Sequence, residues 1–124
     1  MPEGWETLLG KEYEQGVELS VGEWQKVALS RAFMRDAPIL VLDEPTASLD
    51  AKQEHLIFER FNELTRGKTT LLISHRLSSV RMVDRILVVE KDGIVESGSH
   101  DHLMARGGRY AELFTRQASA YRVP

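Results

Sequence analysis

The six residues Ile39-Leu40-Val41-Leu42-Asp43-Glu44 constrain this chain more than any others. Four consecutive apolar side chains read as a strand buried on both faces, the habit of parallel sheets. Two adjacent carboxylates need water or cations, and a buried strand offers neither along its length. Asp43 and Glu44 are therefore expected at its C-terminal end, where open α/β sheets bind ligands. Magnesium prefers oxygen ligands, often carboxylates reached through water. A carboxylate beside an attacking water can accept its proton. Taken alone, the pair fits equally well a plain structural role, ending a strand and capping the next turn.

The neighbouring elements follow from local signals. Residues 1–19, with Gly4, Gly10 and Gly16, read as loop and short helix. Ser20 is an N-cap, and Glu23 stands three residues later, as in a capping box. The helix from about Val21 to Asp36 carries Trp24, Val27, Ala28, Leu29, Ala32, Phe33 and Met34 on a wide face, which predicts deep burial. Pro45 stops the strand, Asp50 and Gln53 suggest a second cap, and Ile57, Phe61 and Leu64 make a stripe to about Arg66. Gly67 ends that helix. Thr69 to Ser74 is the next buried strand, Leu77 to Met82 a short helix, and Ile86 to Glu90 a third strand. Lys91-Asp92-Gly93 is a tight turn into Ile94 to Glu96 at the sheet edge. Ser99 caps a short helix, and Tyr110, Leu113, Phe114 and Gln117 stripe the last one. Strand–helix–strand–helix–strand predicts an α/β fold, a mostly parallel sheet with flanking helices.

Several function classes are disfavoured. With 124 residues the chain suffices for one small domain. A formal charge of -3 speaks against a nucleic-acid binder that works by bulk positive charge. The arginines at 60, 66, 76, 81 and 85 read as a solvated face, and Trp5 and Trp24 as packing residues. With no cysteine there is no disulfide framework, which fits a reducing cytoplasm. The longest apolar runs have four residues, against about 20 for a membrane helix. The acidic N-terminus has no apolar stretch of the secretory kind. His100-x-His102 could offer two metal ligands, but it sits beside a capped surface helix.

Three further phrases resolve the ambiguity at Asp43 and Glu44. Leu19-Ser20-Val21-Gly22-Glu23 opens a helix, where a hydroxyl, free N–H groups and the helix dipole favour an anion. Pro45-Thr46-Ala47-Ser48-Leu49-Asp50 follows the acids, and Ile73-Ser74-His75 closes the next strand. A lone histidine is more often structural than catalytic. The four phrases in this order, however, resemble the ATP-binding-cassette (ABC) ATPase family. Leu19 to Glu23 resembles its signature motif, Leu40 to Glu44 its Walker B motif, Ala47 to Asp50 its D-loop and His75 its switch histidine. Pro2-Glu3-Gly4-Trp5-Glu6-Thr7, Ser74-His75-Arg76-Leu77-Ser78 and Gly93 to His100 are similar to the exporter subgroup.

The resemblance implies a partial P-loop NTPase (ABC ATPase) fold. Residues 1–36 would end the helical subdomain with the signature. Residues 37–124 would hold the Walker B, D-loop and switch-histidine core with the C-terminal helices. It implies ATP and Mg2+ as ligands, a second ABC nucleotide-binding domain facing this one, and the transmembrane domain of an exporter at the cytoplasmic face of the cell membrane. Glu44 would activate water, Asp43 order magnesium, and His75 contact the γ-phosphate. Ser20, Val21, Gly22 and Glu23 would meet a nucleotide held by the opposite subunit, and Asp50 would communicate across the interface. Val21 stands where the signature usually has a second glycine, and Glu23 where glutamine is common. Glu23 puts negative charge where a γ-phosphate would dock.

The family's phosphate-binding loop, G-x-x-x-x-G-K-[ST], has no counterpart. Gly67-Lys68-Thr69 is preceded by Asn62 at the required glycine and opens a strand rather than a helix. The chain is expected to be a truncated piece of a longer protein, inactive in ATP hydrolysis alone. The strand that leads to that loop would lie between residues 69–74 and 86–90. Its absence predicts direct pairing of those two strands, entry of residues 1–19, or a swapped homo-oligomer. Two rival readings are a non-catalytic association fragment and an ABC ATPase of the chromosome-maintenance or DNA-repair type. The exporter-like stretch from Gly93 to His100 speaks against the latter.

Overall fold

The computed structural model describes residues 3–120, in which helices and strands alternate as their local signals require. Pro2, part of the exporter-like opening phrase, lies outside the described residues. The chain divides into two compact units, Met1–Ile73 and Ser74–Pro124.

In the first unit a 3-10 turn, Gly4–Glu6, and an isolated bridge between Leu9 and Val17 precede α1, Val21–Met34. Next come β1 (Ile39–Asp43), α2 (Ala51–Leu64) and β2 (Thr69–Ile73). The expected caps are in place. Ser20 and Glu23 form a full capping box on α1, and Asp50 accepts from the Gln53 N–H at 2.8 Å on α2. Beyond α2, Gly67 adopts φ 77, a left-handed turn that glycine makes at no steric cost. β1 and β2 run parallel, in register from Ile39 opposite Thr69 to Asp43 opposite Ile73. Leu40 and Leu42 share one face of β1. Onto it α1 brings Leu29, and α2 brings Phe58 and Phe61 with their rings edge to face at 5.1 Å.

That core covers one face only. Ile39 and Val41 are 63% and 58% exposed, and Leu71 and Ile73 are also exposed, so β1 and β2 are not buried on both faces. A pattern of consecutive apolar residues states that both faces are apolar, not that both are covered. The wide apolar face expected of α1 is likewise largely open. Leu29 alone is buried in it, while Val21, Trp24 and Met34 are exposed. Trp5 is fully exposed, so neither tryptophan is a core residue.

The second unit holds α3 (Leu77–Val80), β3 (Ile86–Glu90), β4 (Gly93–Gly98), α4 (His100–Arg106) and α5 (Arg109–Ala120). β3 and β4 form the expected hairpin, antiparallel, with Gly93 at φ 116 in the turn and a register shift between Val88 and Val89. Ile86, Val88, Leu103 and Tyr110 form the core, with Val80, Val83, Met104 and Phe114 against it. α4 ends in Gly107 at φ 67, the left-handed stop that glycine makes readily.

Among the described residues the strands therefore make two two-stranded sheets, β1–β2 and β3–β4. The parallel ladder is confined to the first. The expected direct pairing of the strands at 69–74 and 86–90 is not formed, and residues 3–19 add no strand to either sheet. β3 pairs with β4, the strand nearest in sequence, as the tight turn at Gly93 requires.

Candidate functional site

Asp43 ends β1 with its side chain exposed, and the Glu44 N–H extends the parallel ladder by donating to the Ile73 carbonyl at 2.8 Å. Glu44 then takes φ 45, a left-handed conformation uncommon for a residue with a side chain. The chain turns at once: the Ala47 N–H donates to the Glu44 carbonyl at 3.2 Å, and the Leu49 N–H to Thr46 at 3.0 Å. Thr46 is 1% exposed, and its hydroxyl donates to the buried Glu54 carboxylate of α2 at 2.8 Å. Asp50 closes the turn as the cap of α2.

The turn is also fastened to α1. The Gln25 side-chain amide donates to the Glu44 carbonyl at 3.0 Å, and its oxygen accepts from the Ser48 N–H at 3.0 Å. At Gly22 a Cβ would stand 3.2 Å from the Ser48 carbonyl, so the first turn of α1 lies directly against residues 48 and 49. Ser20, Val21, Gly22, Glu23, Asp43, Glu44 and Asp50 are thus gathered in one part of the first unit.

The start of α1 already holds an anion of its own. The Glu23 carboxylate accepts from both the backbone N–H and the hydroxyl of Ser20, each at 2.8 Å, and the Glu23 N–H donates back to Ser20 at 3.3 Å. The Ser20 backbone N–H, then its hydroxyl, hold the Glu23 carboxyl below its ordinary pKa. Val21 is 73% exposed and leaves the approach to this helix end open.

His75 belongs to the second unit and is exposed. Its carbonyl accepts from the Gln117 side-chain amide of α5 at 2.6 Å, and next to it the Arg76 N–H donates to the Ser74 hydroxyl at 3.1 Å. Of the other histidines, His100 contacts the Tyr110 hydroxyl through Nδ1 at 2.8 Å, and its ring lies tilted against that of Phe114, centroids 4.8 Å apart.

Sequence reasoning did not single out Gln25, Thr46, Glu54 or the contact of Gln117. No pattern marks a glutamine one turn into a helix as the clasp of a loop some twenty residues away. For Thr46 and Glu54 a weak sign exists, a glutamate in the first turn of α2, where a carboxylate favours the helix dipole.

Comparison with known proteins bears directly on this arrangement. Residues 5–47, from the opening turn through α1 and β1 into the Glu44 turn, match the family model described as ABC transporter. The chain is 47% identical over 117 residues to an ATP-dependent lipid A-core flippase of Syntrophus aciditrophicus. The chain belongs to the ABC transporter family. That alignment takes in 94% of this chain and 19% of the flippase. P-glycoprotein 14 of Caenorhabditis elegans is 44% identical over 94% of the chain, which spans 9% of it. The structure of a bacterial Atm1-family ABC exporter with ATP bound superposes with a TM-score of 0.83 at 41% identity, over 95% of this chain and 20% of that one. The chain thus spans about a fifth or less of these relatives, and its fold is that of part of an ABC ATPase domain. No helix among the described residues is long and apolar enough to cross a membrane.

Among the described residues no group of three or more His, Asp or Glu could enclose a metal ion by itself. Asp43, exposed at the end of β1, and Glu44 next to it in the chain supply two carboxylates. That donor set fits magnesium, which keeps several waters and takes one or two carboxylates alongside substrate phosphates.

Proposed function

We propose that this chain is part of a subunit that hydrolyses ATP to drive an ABC exporter, working at the cytoplasmic face of the membrane against a second nucleotide-binding domain and a transmembrane domain. In this reading Glu44 accepts the proton of the water that attacks the γ-phosphate, as the bond to ADP breaks. Asp43 orients water in the magnesium shell, and the ion, when bound, neutralises phosphate charge. His75 holds the γ-phosphate. Ser20 and Gly22 receive the nucleotide of the opposite subunit, and Asp50, at the end of the turn from Glu44, carries the state of one site to the other. The observation that carries the reading is the contact between the start of α1 and the Glu44 turn, through Gln25 and Gly22. It ties a phosphate-facing helix end to a candidate base.

The test is Glu44→Gln in an exporter that carries residues 3–120 in place of its matching segment. Turnover should fall on the order of 10²–10⁴-fold, because the amide cannot accept the proton, while bound ATP is retained. Near-normal turnover would remove Glu44 from the role. The chain by itself should release no phosphate above the Glu44→Gln background, since the lysine and backbone cradle of a phosphate loop are not among its residues.

A second reading has one observation behind it. The open face of β1 and β2 carries Ile39, Val41, Leu71 and Ile73, an apolar surface of the kind that marks association. Copies of the isolated chain would pair or swap through it. A solution mass equal to one chain across a wide concentration range would exclude this behaviour.

A further inference from the structure

Glu44 stands in a conformation that its own sequence does not favour. A residue with a Cβ at φ 45 is strained, and one that precedes proline, as Glu44 precedes Pro45, is pushed towards extended backbone. Such a conformation persists only where its surroundings over-determine it. The ladder bond from the Glu44 N–H fixes one side of the residue. On the other side the Glu44 carbonyl accepts both the Ala47 N–H of its own turn and the Gln25 amide. The first of these moves with the turn. The second comes from a helix whose start is locked by a capping box.

Gln25 is half-buried, and both ends of its carboxamide are engaged by backbone four residues apart, at Glu44 and Ser48. Only a group with a donor and an acceptor at this reach does both. Glutamate keeps an acceptor for the Ser48 N–H but offers only oxygen to the Glu44 carbonyl. Methionine keeps the length and loses both bonds. Asparagine is one carbon too short. We infer that Gln25 is a positioning residue for the candidate base: by clasping the Glu44 carbonyl and the Ser48 amide it fixes the left-handed backbone from which the Glu44 carboxylate projects, and joins that carboxylate to the phosphate-facing end of α1. The assignment rests on the proposed function for its catalytic meaning, but not for the clasp itself.

The experiment therefore has two arms. In the full chain, amide hydrogen exchange is followed residue by residue for wild type, Gln25→Met and Gln25→Glu. The Ser48 amide should exchange about fivefold faster or more in Gln25→Met, the net effect of one hydrogen bond, with the β1 amides of Leu40 and Leu42 unchanged. Gln25→Glu should keep Ser48 protected. In the exporter that carries residues 3–120, Gln25→Met should lower kcat by about 10- to 100-fold, the cost of a misplaced catalytic group, with KM for ATP within about twofold, a ratio well under one hydrogen bond's contribution. Gln25→Glu should fall between. Unchanged Ser48 exchange in Gln25→Met overturns the clasp. Faster Ser48 exchange with kcat intact, or kcat and KM shifted in equal measure, overturns the positioning role. If Glu44→Gln leaves turnover intact while the Ser48 result holds, the base assignment fails and the clasp stands.

Discussion

The two units solve the same problem with different materials. In the first, the core is hydrocarbon: Leu29, Leu40 and Leu42 meet Phe58 and Phe61, and the buried polar pair, Thr46 with Glu54, lies in the Glu44 turn. In the second, the core is also apolar, but a buried carboxylate bonds directly to one of its members, Tyr110. Glu96 is 7% exposed, and its carboxylate accepts the Tyr110 N–H at 2.7 Å, with Arg106 at 3.9 Å. It caps the start of α5 from a neighbouring strand, which the macrodipole favours. Gly108 leaves room for that carboxylate, which a Cβ there would displace. The reward for placing α5 so firmly is found at its far end, where Gln117 holds the His75 carbonyl. Each unit thus rests a glutamine amide on the backbone of a candidate site residue, Gln25 on Glu44 and Gln117 on His75. The first does so from a helix fixed by its capping box and by Leu29 in the core, the second from one whose start is held by a buried carboxylate.

The largest effect should come from the apolar side of this contrast. Phe58→Ala removes a side chain that is 2% exposed and faces Phe61, and should destabilise the first unit by about 3–5 kcal/mol. Exchange of the Leu40 and Leu42 amides under native conditions reads the loss in that unit. In the second unit Glu96→Ala should cost about 1–3 kcal/mol, the penalty for leaving a buried donor unsatisfied, read at the amides of Tyr110 and Leu103. Gly108→Ala should produce a similar loss by displacing the same carboxylate. If Glu96→Ala proved costlier than Phe58→Ala, the second unit would depend on its polar groups more than the first depends on its core, and the contrast would have to be redrawn. Gln117→Leu is milder, about 0.5–1.5 kcal/mol for one hydrogen bond. Its decisive readout is the His75 imidazole signal in NMR, which should move. An unmoved signal would mean that the bond to the His75 carbonyl does not govern the side chain.

What could be read from the sequence follows the same division. Elements set by local chemistry were legible: the capping box at Ser20 and Glu23, the Asp50 cap, the Gly93 turn, the Ser99 cap. So was the placement of Asp43 and Glu44 at a strand end, since adjacent carboxylates cannot share a buried strand interior. Coverage was not legible. Val41 and Leu42 are alike in hydropathy, yet one is open and the other buried, because burial depends on what lies opposite. Nor were the long-range polar contacts, Gln25 to residues 44 and 48 or Glu96 to Tyr110. They join positions with no periodic relation, and a glutamine or glutamate on a helix or hairpin is most often a solvated residue.

The smallest predicted effects lie at opposite ends of the pH scale, one for each unit. Hydrogen bonds from Ser20 hold the Glu23 carboxyl below its ordinary value of 4.5. The folded state binds that proton less readily than the unfolded state. The contribution of the charged cap is therefore fully present above about pH 4.5 and is lost as the pH falls through the lower, folded value. Burial pushes the Tyr110 phenol above its ordinary value of 10.0. Here the unfolded state loses its proton first, so the stability gained by keeping the phenol neutral is present below pH 10.0 and is lost as the pH rises through the folded value. The first unit should accordingly show an extra acid-side loss at the α1 amides, and the second an alkaline-side loss at the α5 amides. Glu23→Gln separates the two. It should abolish the acid-side increment in α1 while leaving the alkaline limb of α5 in place. It should also ease the approach of a phosphate, because the carboxylate that now occupies the helix start is gone. Inorganic phosphate titrated against the full chain, followed at the Ser20 and Gly22 amides, should perturb Glu23→Gln at lower concentration than wild type. Equal titrations would show that the Glu23 carboxylate yields its place to an incoming anion without measurable resistance.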